Sequence, residues 1–174
     1  MTISNSIVCL RAVEPEDLDT LYILENATGR AESGFSSAPH SRYEIGNYIK
    51  NYSADIYSER QLRLMIVARD TGHTVGAIDI ADYEPRDRRG FVGIAIVDGE
   101  RRRGYGKAAL SLLCDYASEM LGLHQLVAQV AIDNEASRGL FSSCGFKSCG
   151  KLRSWIRRGS KYTDVLLFQR IFPG

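Results

Sequence analysis

The sequence predicts a single α+β domain built on a mixed, mostly antiparallel sheet. Three observations carry this. A short apolar run rich in β-branched residues (91–97) leads into a basic glycine loop, Glu100-Arg101-Arg102-Arg103-Gly104-Tyr105-Gly106-Lys107, and then into a helical stripe. Other apolar segments come in pairs around turn signals, 62–68 with 75–80 and 146–155 with 162–172. Finally, two amphipathic helical stretches stand ahead of all of these, and no repeat, low-complexity tract or linker interrupts the chain.

Taken in order, residues 7–10 form a short apolar strand closed by Arg11. Pro15 fits the first turn of a helix, and Glu16, Asp17 and Asp19 suit its positive end. Leu18, Leu21, Tyr22 and Leu24 give that helix its buried side. Residues 28–40 are rich in Gly, Ser and Ala and read as a loop. Ser41 opens a capping box with Glu44, and Ile45, Tyr48, Ile49, Tyr52 and Ile56 mark the inner face of a second helix. Asp70-Thr71-Gly72 joins the next two strands as a hairpin, and residues 83–90 form a polar turn before the strand at 91–97.

The central helix carries Ala109, Leu112, Leu113, Tyr116, Ala117 and Met120 at three- and four-residue steps and ends at Gly122. A strand at 126–131 and a helix at 134–144, closed by Gly145, follow. Residues 157–160 turn between the last two strands.

The 174 residues are enough for one sizeable core, and 44% hydrophobic with 25% charged residues is the balance of a globular protein. No run approaches a membrane span, and the N-terminus lacks a basic region followed by an apolar core, so a cytoplasmic protein is expected. Cys9, Cys114, Cys144 and Cys149 show neither disulfide nor zinc spacing, and Cys144 and Cys149 have no nearby His, so reduced thiols and no metal are expected. Charge is unevenly distributed. Residues 14–59 hold nine acidic and three basic residues, whereas 147–170 hold seven basic residues against Asp164 alone. An acidic N-terminal part suits a cationic partner; solvated faces of opposite sign explain the same pattern equally well. The basic residues do not interleave with aromatics, so no nucleic-acid partner is implied.

The glycine loop has a physical use. Gly104 and Gly106 allow backbone angles and close approaches denied to other residues. Outward N–H groups at a helix start attract negative charge, and Arg101, Arg102, Arg103 and Lys107 add to it. A phosphate or diphosphate is the natural guest; the plainer reading is a wet basic turn. A nucleotide P-loop is excluded, because Lys107 is followed by Ala108 and the required glycine spacing is missing. The dinucleotide pattern fails at Ala109, and residues 123–132 hold no Asp or Glu.

What the loop does match is Arg/Gln-x-x-Gly-x-Gly/Ala, as Arg101-Arg102-Arg103-Gly104-Tyr105-Gly106. It resembles the diphosphate loop of the Gcn5-related N-acetyltransferases (GNAT), which bind acetyl-coenzyme A. Two more segments are similar to that family, and the resemblance covers almost the whole chain. One runs from Asn134 to Gly145-Phe146; the other is Gly159-Ser160-Lys161-Tyr162-Thr163-Asp164, like the hairpin of the ribosomal-protein and spermidine acetyltransferase branch. Ser58-Glu59-Arg60 also resembles the spermidine enzymes. The family's paired Glu residues in the first interhelical loop are replaced here by Ser36-Ser37-Ala38-Pro39.

The resemblance implies the acyl-CoA N-acyltransferase fold and direct attack of a neutral amine on the acetyl thioester. It assigns acetyl-CoA, with no metal, to the backbone of Ile94, Ala95 and Ile96 and to the loop from Arg101 to Lys107, with Asn134 and the position of Phe141 beside the cofactor arm. The side chains of Ile94 and Ile96 are themselves better read as core, and Asn134 also reads as a helix N-cap. The family often has an acid-donating tyrosine where Phe141 stands. A phenyl ring donates no proton, so Ser142, Cys144, Tyr162 or water must serve. Asp79, Asp82 and Glu84 are candidate bases; Asp79 is also, with Glu32, His40 and Tyr162, a candidate on the acceptor side. Three readings follow: an acetyltransferase of a small polyamine-like or amino compound, a ribosomal-protein-type N-terminal acetyltransferase acting on a peptide amine, and a coenzyme A-binding regulatory module without catalysis. Spermidine enzymes resembling this chain form large assemblies, so a homo-oligomer stays open.

Overall fold

The computed structural model describes residues 3–27 and 38–174. Their eight strands form one sheet in the order β1-β2-β3-β4-β5-β6-β8-β7. The strands are β1 (Ile3–Ser4), β2 (Val8–Arg11), β3 (Leu62–Ala68), β4 (Thr74–Glu84), β5 (Arg89–Ile96), β6 (Gln125–Ala131), β7 (Lys147–Arg158) and β8 (Lys161–Ile171). The five described α-helices are α1 (Leu18–Glu25), α2 (Arg42–Lys50), α3 (Ile56–Glu59), α4 (Tyr105–Glu119) and α5 (Glu135–Ser143). Every strand pair is antiparallel except β5 with β6. The mixed, mostly antiparallel α+β architecture read from the sequence is therefore the one observed.

Alternation along β3 to β5 divides the core in two. Leu64, Ile66, Ile78, Ile80 and Val92 face α4 and α5, in a cluster with Leu110, Leu113 and Phe141. Met65 and Ala77 face the other way and pack with Leu21, Leu24 and Ile45 of α1 and α2. Between the layers, Arg11 holds the buried Asp17 carboxylate through two bonds at 2.7 and 2.8 Å, and Asp17 also accepts from the Glu14 N–H at 2.8 Å. That clamp fixes the entry to α1 against the edge of the sheet.

Three local differences from the sequence reading have clear causes. The second helix does not run on to Ile56. It closes at Lys50 with Asn51 as its cap, and Asp55, whose side chain accepts from the Tyr57 N–H, starts the separate α3. β4 continues past Ile80 to Glu84, because a bulge between Ala81 and Glu84, with Asp82 at φ 47°, absorbs the polar residues into the strand. β1 is a two-residue addition at the sheet edge, too short to show a period.

Candidate functional site

β4 and β5 pair from Gly76 opposite Ile96 to Ala81 opposite Phe91. β5 and β6 pair over only three positions, ending at Phe91 opposite Val127. Beyond that point the two strands part. The Val97 N–H donates to the Val75 carbonyl at 2.9 Å, and hydrogen-bonded positions alternate along an antiparallel ladder. The peptide groups of Gly93 and Ala95 therefore turn toward β4 and those of Ile94 and Ile96 toward the side that β6 has left, while the Val92 N–H still meets β6 at the last pair. The Ile96 carbonyl accepts from Arg101 Nε at 3.3 Å.

The opening leads to the start of α4. Gly104 is its N-cap at φ 82°, no side chain caps the first turn, and that turn holds no acidic residue. Its leading N–H groups are thus free to meet an external anion. Two of the loop's cations are turned aside: Arg101 pairs with Asp98 at 3.0 Å and Arg103 with Glu100 at 3.1 Å, both at the surface. Arg102, at φ 62°, and Lys107 make no ion pair among the described residues. A Cβ on Gly106 would lie 3.8 Å from Ile96 Cγ1 and 3.9 Å from Ile94 Cδ1, so the loop lies about one methyl group from the parted strand end. Tyr105 points inward, 5% exposed, with its hydroxyl on Asp70. Only its backbone N–H faces the loop.

The residues singled out around α5 divide into core and surface. Phe141 is 4% exposed and packs edge-on to Phe146 at 5.1 Å, with Phe168 stacked at 6.5 Å. Cys144 is likewise buried, its thiol on the Lys107 carbonyl at 3.8 Å. Ser142 is exposed. Asn134 caps α5, its Oδ1 accepting from the Ser137 N–H at 3.1 Å, which leaves Nδ2 as a donor. The N-cap and cofactor-arm readings of Asn134 therefore use different atoms.

On the acceptor side, Asp79 is bound to Arg63 directly across β3 and β4. Arg63 also meets Glu25 at 3.0 Å, and its guanidinium lies 5.4 Å from the Tyr48 ring centre. Asp79 is also opposite Gly93, which is exposed and has nothing within 4 Å of where its Cβ would be. A cleft of about 260 Å³ lined by Asn47, Asn51 and Glu59 adjoins one of about 150 Å³ lined by Asp79 and Ala81. The two share Tyr48, Gln61 and Arg63. Together they form a trough that reaches Asp79, the cross-strand neighbour of Gly93.

Burial, with the nearby Asp79 charge, pushes the Tyr52 phenol up to about 12, and burial raises Tyr48 as well. Both stay neutral hydrogen-bonding groups. Arg63 and Tyr48 are the members of this cluster that sequence reasoning missed.

The remaining candidates do not gather there. Asp82 is exposed in the β4 bulge, and the Glu84 carboxylate accepts from the Arg86 N–H at 3.1 Å. Tyr162 is 60% exposed on β8 opposite Arg157. His40 is held through its backbone by the Asn26 amide, at 2.8 and 3.0 Å. Glu32, Ser36 and Ser37 lie outside the described residues. Among the described residues no group of three or more His, Cys, Asp or Glu is placed to hold a metal ion, and no helix is long and apolar enough to cross a membrane.

Residues 8–147 match the family model described as an acetyltransferase (GNAT) domain. That is most of the chain, which therefore belongs to the GNAT acetyltransferase family. Among curated relatives, it is 24% identical over 106 residues to an uncharacterised N-acetyltransferase, p20, of Bacillus licheniformis, covering 61% of this chain and 60% of that protein. It is 29% identical over 116 residues to an L-methionine sulfoximine/L-methionine sulfone acetyltransferase of Pseudomonas aeruginosa, covering 63% of this chain and 66% of that protein. The chain thus matches under two thirds of the length of these relatives. Among solved structures, a spermidine N-acetyltransferase from Vibrio cholerae in complex with CoA and spermine superposes with a TM-score of 0.85 at 23% identity, over 96% of both chains. A dodecameric structure of spermidine N-acetyltransferase from Vibrio cholerae gives 0.79 at 24% identity, over 96% of this chain and 95% of that one. At these identities the likeness speaks for the fold.

Proposed function

We propose that this protein is an acetyl-CoA-dependent N-acetyltransferase of a small amine, with the whole chain as one catalytic domain acting in the cytoplasm. The observation that carries the reading is the closeness of Gly106 to Ile94 and Ile96, which sets an uncapped helix start beside strand peptide groups without a strand partner. One end suits a diphosphate; the other offers amide donors and acceptors to an amide-bearing arm.

Bound acetyl-CoA supplies the activated acetyl group. The N–H groups of Tyr105, Gly106 and Lys107 hold its diphosphate, with Arg102 and Lys107 adding charge. The strand N–H of Ile94, past the last β5–β6 pair, is the donor that would polarise a thioester oxygen. The acceptor amine comes along the trough and over Gly93, beside Asp79. Asp79, already committed to Arg63, positions and attracts the ammonium, whose proton is lost to water in the trough. The amine nitrogen bonds to the acetyl carbon, the carbon–sulfur bond breaks, and the departing thiolate takes the remaining amine proton through water, without help from position 141, where the buried ring carries no proton.

Acetyl-CoA-dependent thiol release against small mono- and polyamines, amino acids and basic peptides tests this. Turnover with a small amine is expected. Turnover confined to peptides would move the assignment to N-terminal acetylation of proteins. Coenzyme A binding with no turnover anywhere would favour the regulatory module. Light scattering on the same sample tests assembly, expected by analogy with the dodecameric relative.

A further inference from the structure

We infer that Asp70, on the turn between β3 and β4, is a positioning residue for the diphosphate loop, acting through Tyr105. The inference rests on the proposed acetyl-CoA site. Tyr105 is the first residue of α4, and its own N–H is one of the groups assigned to the diphosphate. Its buried hydroxyl donates to the Asp70 carboxylate, 3.2 Å from Oδ1 and 3.3 Å from Oδ2. Asp70 is exposed and meets no cation among the described residues.

The placement is costly on electrostatics alone. A carboxylate near an anion site opposes the guest, so the hydrogen bond is what the position provides. The helix start needs it, because Gly104 has no side chain with which to fix the first turn. A second tie runs beside it. Asn5 Nδ2 donates to the Ala108 carbonyl at 3.2 Å, and the Asn5 carbonyl accepts from Arg69 Nη1 at 3.0 Å. The first turn of α4 is thus fastened at two points, directly to Asp70 across 35 residues and to Asn5 across 103, with Asn5 itself held by Arg69. A rotation about either tie would swing the loop N–H groups away from a shared focus.

The test is calorimetric titration of coenzyme A into the full chain and its variants, with steady-state kinetics alongside. Asp70→Ala and Tyr105→Phe should each weaken coenzyme A binding about three- to tenfold, the range for one hydrogen bond. The double variant should be no weaker than either single one. Asp70→Asn keeps an acceptor and drops the charge, so its binding should match or exceed wild type. The KM for the acceptor amine should stay unchanged throughout, which general destabilisation would not arrange. Unchanged coenzyme A affinity in Asp70→Ala, additive losses in the double variant, or an equal rise in acceptor KM would each overturn the assignment while leaving the acetyl-CoA site standing. A wild-type chain that binds no coenzyme A would remove that site, and the inference with it.

Discussion

Arg63 and Asp79 face each other across β3 and β4 and meet through two bonds, Nε to Oδ1 at 2.7 Å and Nη2 to Oδ2 at 3.1 Å. Burial works against the guanidinium charge, but the Asp79 charge and hydrogen bonds outweigh it and hold Arg63 protonated, above its ordinary range. Asp79→Ala would leave a mostly buried cation with fewer partners. A loss of about 1–3 kcal/mol in urea unfolding is expected, between the surface and fully buried limits for broken pairs. The KM for the acceptor should rise while that for acetyl-CoA holds. An unchanged urea midpoint would show that the pair contributes nothing to the fold.

Asp17 predicts the response to acid. Burial pushes its carboxyl up, but bonds from Arg11, from the Glu14 N–H and from Thr74, with the Arg11 charge, more than offset this and lower it below its ordinary value. A carboxyl depressed in the folded state stabilises fully above its unfolded value, near about 4, and that contribution is lost as pH falls through the folded one. Urea midpoints should therefore drop below about pH 4 in wild type. In Asp17→Asn the midpoint should start lower at neutral pH and fall less steeply. Parallel pH curves for the two proteins would remove Asp17 from the account.

Much of this was legible in the sequence, and the rest turned on register. The strand, loop and helix around Gly104 follow from composition and period alone, as do the hairpin at Asp70-Thr71-Gly72 and the cap at Ser41. The Arg63–Asp79 pair does not. The turn end, where Val67 opposes Thr74, would by simple extension set Arg63 against Ile78 and leave Asp79 on the other face of the hairpin. A bulge between Ile66 and Val67 shifts the ladder by one and brings Asp79 opposite Arg63. Tyr48 was visible as a helix face, but its place over Arg63 depends on how α2 crosses the sheet. Asp70 was read as part of a turn signal; its bond to a tyrosine 35 residues on is purely tertiary.

The two loop glycines should separate stability from binding. Gly104, at φ 82°, forces any other residue into the left-handed region, so Gly104→Ala should cost about 1–2 kcal/mol and weaken coenzyme A binding together. Gly106 is different. Its added methyl would meet Leu140, Ile96 and Ile94 at 3.7, 3.8 and 3.9 Å, which is ordinary contact. Gly106→Ala should keep or raise the thermal midpoint, since alanine favours the helix by about 0.5–1 kcal/mol. It should still weaken coenzyme A binding several-fold, because the methyl fills the corner between loop and strand. Unaltered binding in Gly106→Ala would mean that the arm leaves the loop by another route.

Cys144 offers a thiol in the region where the family's tyrosine would act, and its surroundings argue for packing instead. It is 7% exposed at the end of α5, with its sulfur against the Lys107 carbonyl at 3.8 Å and the Ser143 hydroxyl at 3.9 Å. A thiol bound to a backbone carbonyl inside the core behaves as a small apolar side chain. Cys144→Ala should therefore lower stability by about 1 kcal/mol through the small void it leaves, and leave kcat within about twofold. Cys144→Ser should behave worse on stability, because its hydroxyl is costlier to bury, and no better on rate. The pH dependence of kcat should match wild type in both. A fall in kcat of about a hundredfold or more in Cys144→Ala with the fold intact, the size expected for a lost general acid, would return the proton to this thiol.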